Sequence, residues 1–266
     1  MATYSIPDEL IFNIDQTPSK FITTGNVTMA EKGSKHVPLA GSSDKRAITL
    51  TLIETLSGEI LPFQVIYQGK TERCLPKDKY PDGFLVSFNE KHWSNEIETL
   101  RLLDELLHPH IEQVKVEQNL PVDQHSLVIW DAFKAQSTDT VKDKLDELDL
   151  KATEVPKNFT HLFQPLDLTT NRSVKLHEKQ SFSNYYTSTI TRALEEDPTR
   201  DVTTIKVDLK LSTLKPMHVK TTTEIYEYLK SEKGRSIIKS GFRAAGITKA
   251  VTDARNGSVV ELNPYE

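Results

Sequence analysis

The chain has 266 residues, of which 37% are hydrophobic and 27% charged, and its formal net charge is −5. This composition supports one large or two smaller packed domains, excludes a wholly disordered chain and, by charge alone, argues against a protein that mainly coats nucleic acid. The single cysteine, Cys74, excludes an internal disulfide and a thiolate zinc cluster, and no apolar run approaches the ~18 residues of a membrane span.

The first part of the chain is predicted to consist of strands and one long loop. Residues 9–15 form a short apolar run that ends at Asp15, which is typical of a buried strand. Residues 16–46 are rich in Thr, Gly, Ser and Lys and are predicted to form a long loop, which in a compact domain is often functional. Residues 47–56 and 60–67 have strong β character on either side of a Ser–Gly turn, so we expect a hairpin.

The middle of the chain is predicted to contain one helix and one more buried strand. Residues 69–91 contain proline and glycine breakers and are predicted to be irregular. Residues 93–107 are predicted to be helical, with Ser94 as the N-cap and leucines at helical spacing. Residues 126–131 form a second apolar run that ends on an aspartate, Asp131.

The last part of the chain is predicted to be mostly helical. Residues 137–148 are predicted to form a helix that a Ser or Thr caps, and residues 150–155 a short strand. Residues 166–195 carry an amphipathic pattern, and residues 221–246 contain one or two further helices. This alternation of strands and helices predicts an α/β fold.

Three aspartates are the candidate functional residues. Asp15 and Asp131 each end an apolar strand, and Asp167 begins the predicted helix after Pro165. Side chains at strand ends meet in one cleft when the strands are neighbours, so we expect the three carboxylates to converge. Clustered carboxylates repel one another unless a cation neutralises them, and at least one pKa should be raised without it. Oxygen ligands of this kind select Mg²⁺ or Mn²⁺, and two such ions form the clamp used in phosphodiester displacement.

Each aspartate also has a simpler interpretation. A strand-terminal aspartate is commonly a turn former, and a carboxylate at a helix N-terminus, as at Asp167, is favoured by the helix dipole. A phosphatase of the haloacid dehalogenase type would use an Asp-x-Asp-x-Thr motif after the first strand. Here the nucleophile position is Asn13, whose amide cannot form an aspartyl phosphate, so this class is disfavoured.

The residues around the aspartates resemble the catalytic domain of DDE-superfamily transposases, in the pogo/jerky branch related to mariner elements. The resemblance covers roughly residues 8–250, and it depends on the order and spacing of several short stretches together. The stretches that match are Phe12-Asn13-Ile14-Asp15-Gln16-Thr17, Gly41-Ser42-Ser43-Asp44-Lys45-Arg46, Leu61-Pro62-Phe63-Gln64-Val65-Ile66-Tyr67-Gln68-Gly69-Lys70, Val128-Ile129-Trp130-Asp131-Ala132-Phe133-Lys134, Gln164-Pro165-Leu166-Asp167 and Gly241-Phe242-Arg243-Ala244-Ala245-Gly246-Ile247.

The resemblance implies an α/β, ribonuclease H-like fold, in which helices flank a mixed five-stranded sheet with the hairpin at one side. Residues 8–195 would form the catalytic domain and residues 196–266 a basic, mostly helical C-terminal extension. The acidic triad maps onto Asp15 on the first strand, Asp131 on the fourth and Asp167 on the following helix. The implied chemistry is cleavage and transfer of DNA strands that depends on two Mg²⁺ or Mn²⁺ ions.

The sequence departs from the family pattern in ways that concern the substrate. Ala132 stands where many relatives have Asn, and Leu168-Thr169-Thr170 replaces the usual Gly-Val. About eight residues precede the first strand, so we expect this chain to lack the helix-turn-helix module that finds transposon ends. The expected partners are DNA and either a second copy of the chain, in a homodimer, or a separate DNA-targeting protein. The alternative hypothesis is a non-catalytic, domesticated protein that binds nucleic acid or chromatin and keeps the fold.

Basic residues supply the expected DNA contacts. Lys134, Arg172, Lys175 and Lys179 flank the aspartates, and the last three share one helix face, which is either a DNA-backbone contact or a solvated surface. Residues 203–255 carry 11 basic and 5 acidic residues, so the acidic total hides a basic C-terminal segment. Both tryptophans are predicted to lie in the core. We expect a nuclear or otherwise cytoplasmic protein that is neither secreted nor membrane-bound, since the N-terminus lacks a secretory signal.

Overall fold

The computed structural model describes residues 5–23, 45–132, 136 and 138–257. The strands are β1 (Ile11–Lys20), β2 (Ala47–Thr55), β3 (Gln64–Gln68), β4 (Leu85–Asn89), β5 (Ser126–Asp131) and β6 (Leu150–Val155). The helices are α1 (Glu96–Leu102), α2 (His108–Glu117), α3 (Asp139–Glu147), α4 (Thr160–Phe163), α5 (Asn171–Glu196), α6 (Leu211–Lys230), α7 (Glu232–Ala244) and α8 (Ile247–Arg255). Single π-helical turns join α1 to α2, at Leu103–Leu107, and lead into α5, at Leu166–Thr170.

The strands form one mixed sheet in the order β4-β3-β2-β1-β5-β6. The pairs β1–β5, β5–β6 and β3–β4 are parallel, whereas β1–β2 and β2–β3 are antiparallel. The predicted hairpin is confirmed as β2 and β3, and it lies on one side of β1. Strand β2 is buried along almost its whole length, which is expected of a strand in the middle of a covered sheet.

Strand β4 was not predicted, so the described residues form six strands instead of five. It lies within residues 69–91, where proline and glycine suggested irregular structure. Polar Ser87 and Asn89 interrupt its apolar pattern, but Ser87 is buried and its hydroxyl donates to the Glu98 carboxylate at 2.8 Å. Because of this extra strand, Asp131 is on the fifth strand and not on the fourth.

Strand β1 is longer than its apolar run. It continues through polar residues to Lys20, because β2 pairs with it from Phe12 to Lys20. Asp15 therefore lies in the middle of a strand and not at its end, and the predicted loop begins later than residue 16. The rest of that loop, residues 24–44, is outside the described residues.

The predicted positions of the helices are largely correct, but one predicted helix cap and the predicted burial of one tryptophan are not. Helix α1 has Asn95 as its N-cap, whose side chain accepts the Glu98 N–H, so the prediction of Ser94 was wrong. Helix α3 is capped by Thr138 as expected. Trp130 is in the core at 1% exposure, but Trp93 is 64% exposed, so its predicted burial was wrong.

The C-terminal helices pack on the body that carries the aspartates. Helix α6 contacts both α5 and α7, and α7 lies against the π turn Leu166–Thr170. The approach is close at Gly241, where an added Cβ would lie 2.6 Å from the Thr169 hydroxyl and 2.7 Å from the Pro165 carbonyl oxygen. None of the helices in the described part of the chain is long and apolar enough to cross a membrane.

Candidate catalytic site

The parallel pairing of β1 and β5 brings two of the aspartates to neighbouring strands. Asn13 pairs with Ile129 in the register of these strands. Asp15 and Asp131 each lie two residues further along, and side chains two residues apart point to the same face of a sheet. The prediction that the two aspartate-bearing strands are neighbours is therefore confirmed.

The side chain of Asn13 connects the three segments that carry the aspartates. It is fully buried, its Nδ2 donates to the Ile129 carbonyl oxygen at 2.8 Å, and its Oδ1 accepts the Leu166 N–H at 2.9 Å. These contacts lie two residues before Asp131 and one residue before Asp167. One amide on β1 thus fixes β5 and the turn that carries the third aspartate.

Further hydrogen bonds hold the π turn Leu166–Thr170 against the sheet. Just before the turn, Gln164 Nε2 donates to the Ile14 carbonyl oxygen at 3.0 Å. Within it, the Thr170 hydroxyl donates to Glu54 Oε2 at 2.7 Å, and the Thr169 hydroxyl donates to the Ile237 carbonyl oxygen of α7 at 3.1 Å. The turn is therefore positioned by β1, β2 and α7 together. Such π-helical turns are often found at functional sites.

Asn171, at the start of α5, lies between two of the aspartates. Its Nδ2 donates to Asp15 Oδ2 at 2.6 Å and to Asp167 Oδ1 at 3.0 Å. The residue is only 7% exposed, and its Oδ1 is buried without a hydrogen-bond partner. The carboxylates of Asp15 and Asp167 thus converge on a single nitrogen atom.

The electrostatics of the site reflect burial and mutual repulsion. Burial, followed by the negative charges of Asp167 and Asp131, raises the pKa of Asp15 to about 7, although the Asn171 hydrogen bond opposes the shift. Burial also raises the pKa of Asp131, and the charges of Asp167 and Glu154 act in the same direction. The expectation that at least one of the three pKa values is raised is confirmed, with desolvation as the larger cause.

Hard oxygen donors that repel one another suit Mg²⁺ or Mn²⁺. Asp15 and Asp167 fit such a cation, because their oxygens already approach one point from two sides. No group of three His, Cys, Asp or Glu side chains that could hold a metal ion is found in the part of the chain that the structure describes. The assignment of all three aspartates as metal ligands therefore stays a prediction.

Sequence reasoning missed Glu54, a fourth carboxyl group near the site. It lies on β2 opposite Asn13 and is fully buried. Burial raises its pKa to about 8, and the charge of Asp15 adds to the shift, whereas the Thr170 hydrogen bond opposes it. Glu54 is thus protonated at neutral pH and adds no negative charge beside Asp15. Asn171 was missed as well, although its place four residues after Asp167 puts the two on one helix face.

The predicted basic face lies on α5 beside the aspartates. Arg172, Lys175 and Lys179 are all exposed, and Lys175 Nζ donates to the Pro18 carbonyl oxygen of β1 at 3.3 Å. The exposed side chain of Leu176 lies among them. Lys134, the fourth predicted contact, is outside the described residues. The contact of these residues with DNA stays a prediction.

A family model described as DDE superfamily endonuclease matches residues 45–214 of the chain. This range includes Asp131 and Asp167, whereas Asp15 precedes it. The pogo transposable elements with KRAB domain of Homo sapiens and Mus musculus are 24% and 23% identical to the chain over 175 residues. The match covers 65% of this chain and 27% of either relative, so the chain spans only a part of their length.

A solved structure resembles the fold over nearly the whole chain. It is a Mos1 transposase paired-end complex with the left transposon end, and it has a TM-score of 0.52 at 9% sequence identity. The similarity covers 94% of this chain and 55% of that chain. At this identity the likeness concerns the fold alone, and it confirms the predicted α/β, ribonuclease H-like architecture.

Proposed function

Because the chain belongs to the family of DDE superfamily endonucleases, we propose that it cleaves and transfers DNA strands with divalent metal ions held by Asp15, Asp131 and Asp167. The observation that carries the proposal is the convergence of the Asp15 and Asp167 carboxylates on one point. Asp131 is assigned to the same site because its strand is paired with β1, so that its side chain and that of Asp15 point to the same face of the sheet.

The protein's own residues have separate roles in this proposal. Asp15 and Asp167 would hold a cation between them, and Asp131 would complete the negative site from the neighbouring strand. Bound Mg²⁺ or Mn²⁺, two ions in the full site, would activate the attacking water or 3′-hydroxyl and stabilise the leaving oxygen. Asn13 is a positioning residue, because it holds β5 and the π turn in place without lying between the carboxylates.

The DNA backbone would lie along the exposed face of Arg172, Lys175 and Lys179, and Lys134 is the fourth residue that we propose to contact DNA. Lysine and arginine side chains supply most of the sequence-independent affinity for DNA through phosphate contacts. This face begins five residues after Asp167 along the chain, so we expect a DNA strand bound to it to pass close to the carboxylates. Residues 8–195 would thus form the catalytic domain, with residues 196–266 as a basic extension in a nuclear protein.

The test is nicking of supercoiled plasmid DNA with Mg²⁺ or Mn²⁺ as the added metal. We expect the protein to nick DNA only with the metal present, and Asp131→Asn to be inactive while it still binds DNA. Asp123→Asn is the matched control, because Asp123 is exposed and precedes β5, away from the end that carries Asp131. This control should remain active.

Absence of metal-dependent nicking by the parent protein, with DNA binding retained, would contradict the proposed activity. That outcome would favour the alternative hypothesis of a non-catalytic nucleic-acid or chromatin-binding protein. The oligomeric state measured on DNA would then test whether a second copy of the chain or a separate targeting protein takes part.

A further inference from the structure

The two ends of the Asn171 amide group have very different surroundings. An amide nitrogen can donate to the oxygens of two carboxyl groups at once, whereas an amide oxygen can only accept. The Asn171 nitrogen faces both aspartates, at 2.6 Å from Asp15 Oδ2 and 3.0 Å from Asp167 Oδ1. The amide oxygen then points away and is buried with no partner, which is an unfavourable arrangement for an acceptor.

We propose that Asn171 is an additional ligand of the cation and that its amide turns over when the cation binds. In the arrangement that the structure shows, the N–H groups of Asn171 connect the two aspartates. A half-turn of the amide exchanges nitrogen and oxygen within the same volume and directs Oδ1 at a cation shared with Asp15 and Asp167. This inference rests on the proposed function, since it concerns the same metal site.

Two observations support this role. Asn171 is 7% exposed and lies directly between the carboxylates, so a cation shared by them would meet the amide. An amide oxygen is also a hard donor of the kind that Mg²⁺ and Mn²⁺ accept.

The competing explanation is that Asn171 only bridges the carboxylates and must be displaced by the cation. The two roles predict opposite effects for Asn171→Ala on Mn²⁺ binding, measured by calorimetry on the full chain without DNA. A ligand role predicts that Mn²⁺ binding weakens at least about tenfold. A bridging role alone predicts unchanged or tighter binding, because a competitor for the site has been removed, and this result would overturn the inference.

The matched control is Asn184→Ala, an exposed asparagine further along α5. It should bind Mn²⁺ as the parent does. Asp15→Asn distinguishes this inference from the proposed function. If Asp15→Asn also leaves Mn²⁺ binding unchanged, the metal site itself is wrong. If Asp15→Asn weakens Mn²⁺ binding but Asn171→Ala does not, the metal site is supported and the ligand role of Asn171 is wrong.

A measurement on the parent protein avoids the risk that Asn171→Ala does not fold. The side-chain NH₂ signals of Asn171 can be assigned in a ¹⁵N-labelled sample by their absence in Asn171→Asp. We expect these signals to shift on addition of Mg²⁺, because the N–H groups leave the two carboxylates. Signals that keep their positions at saturating Mg²⁺ would overturn the inference.

Discussion

The Asn13 side chain accepts the backbone N–H of Leu166 at 2.9 Å, across 153 residues of sequence and one residue before Asp167. The same side chain donates to the Ile129 carbonyl oxygen on β5. The geometry of the candidate site is therefore set from its interior, by a neutral amide that does not itself lie between the carboxylates. An amide suits this task because it donates and accepts at once without adding charge.

Replacing Asn13 by alanine should destabilise the protein and impair the site together. The change leaves the Leu166 N–H and the Ile129 carbonyl oxygen unpaired in the interior, at a cost of about 1–3 kcal/mol for each group. The decrease in the free energy of unfolding can be measured by urea denaturation. Asn184→Ala, on the surface of α5, should unfold like the parent protein. A stability loss no larger than that of the control would contradict the positioning role of Asn13.

The close approach of α7 to the π turn predicts that Gly241→Ala impairs cleavage. The new Cβ would lie 2.6 Å from the Thr169 hydroxyl and 2.7 Å from the Pro165 carbonyl oxygen, so the turn must move. Overpacking of this kind costs about 1–3 kcal/mol. We expect a lower nicking rate at saturating DNA with little change in DNA affinity, because Asp167 shifts and the basic face does not. Ser236→Ala, on the exposed side of α7, is the control, and equal rates for the two variants would refute this prediction.

The buried carboxyl group of Glu54 predicts a stability that depends on pH. Its pKa is 4.5 in model compounds and about 8 in the folded protein, so the folded state keeps a proton that the unfolded state loses. This group's contribution to stability is present below pH 4.5 and is lost as the pH rises to about 8, with a limiting slope of about 1.4 kcal/mol per pH unit.

Glu54→Gln removes this titration while it keeps a side chain of the same shape beside Thr170. The stability of the variant relative to the parent should therefore increase steadily between pH 5 and pH 8. Urea unfolding at several pH values measures this difference. A difference that does not change with pH would show that Glu54 is not held protonated in the folded protein.

The basic face of α5 predicts a salt-dependent effect on DNA binding. Each phosphate contact that is lost should reduce the slope of log affinity against log salt by about 0.9. Replacing Arg172 or Lys179 by alanine should weaken binding to DNA of any sequence, because a phosphate contact is lost. Lys142→Ala is the control, since Lys142 is exposed on α3 and pairs with Asp139. Slopes that stay at the parent value in the α5 variants would place the DNA elsewhere.

The sequence was sufficient to predict the elements whose pattern is set by burial. The apolar runs that became β2, β3 and β5 are filled by side chains that must leave water, so their periodicity reports the core directly. Strand β4 was not predicted because Ser87, although buried, is polar and forms a hydrogen bond to Glu98. The full length of β1 was not predicted because its pairing with β2, a long-range contact, extends the strand through polar residues.

The residues of the candidate site also fall into those that the sequence could predict and those that it could not. Asp15, Asp131 and Asp167 could be proposed from their places after apolar runs and before a helix, because those places are local in sequence. Asn13 acts through partners 116 and 153 residues away, Asn171 through a partner 156 residues away, and Glu54 through a partner 116 residues away. Polar residues of these types are common on surfaces, so nothing in a single sequence distinguishes Asn13 and Glu54 before the fold brings their partners together. Only Asn171 carries a local signal, because it lies four residues after Asp167.

The proposed metal site is tested most directly by a crystal structure of the protein grown with Mn²⁺, with anomalous diffraction to locate the metal. We predict a strong anomalous peak in contact with the carboxylates of both Asp15 and Asp167, with Asp131 facing the same site. Its absence at saturating Mn²⁺, or a peak bound away from these residues, would contradict the claim that these aspartates form a metal-dependent catalytic centre.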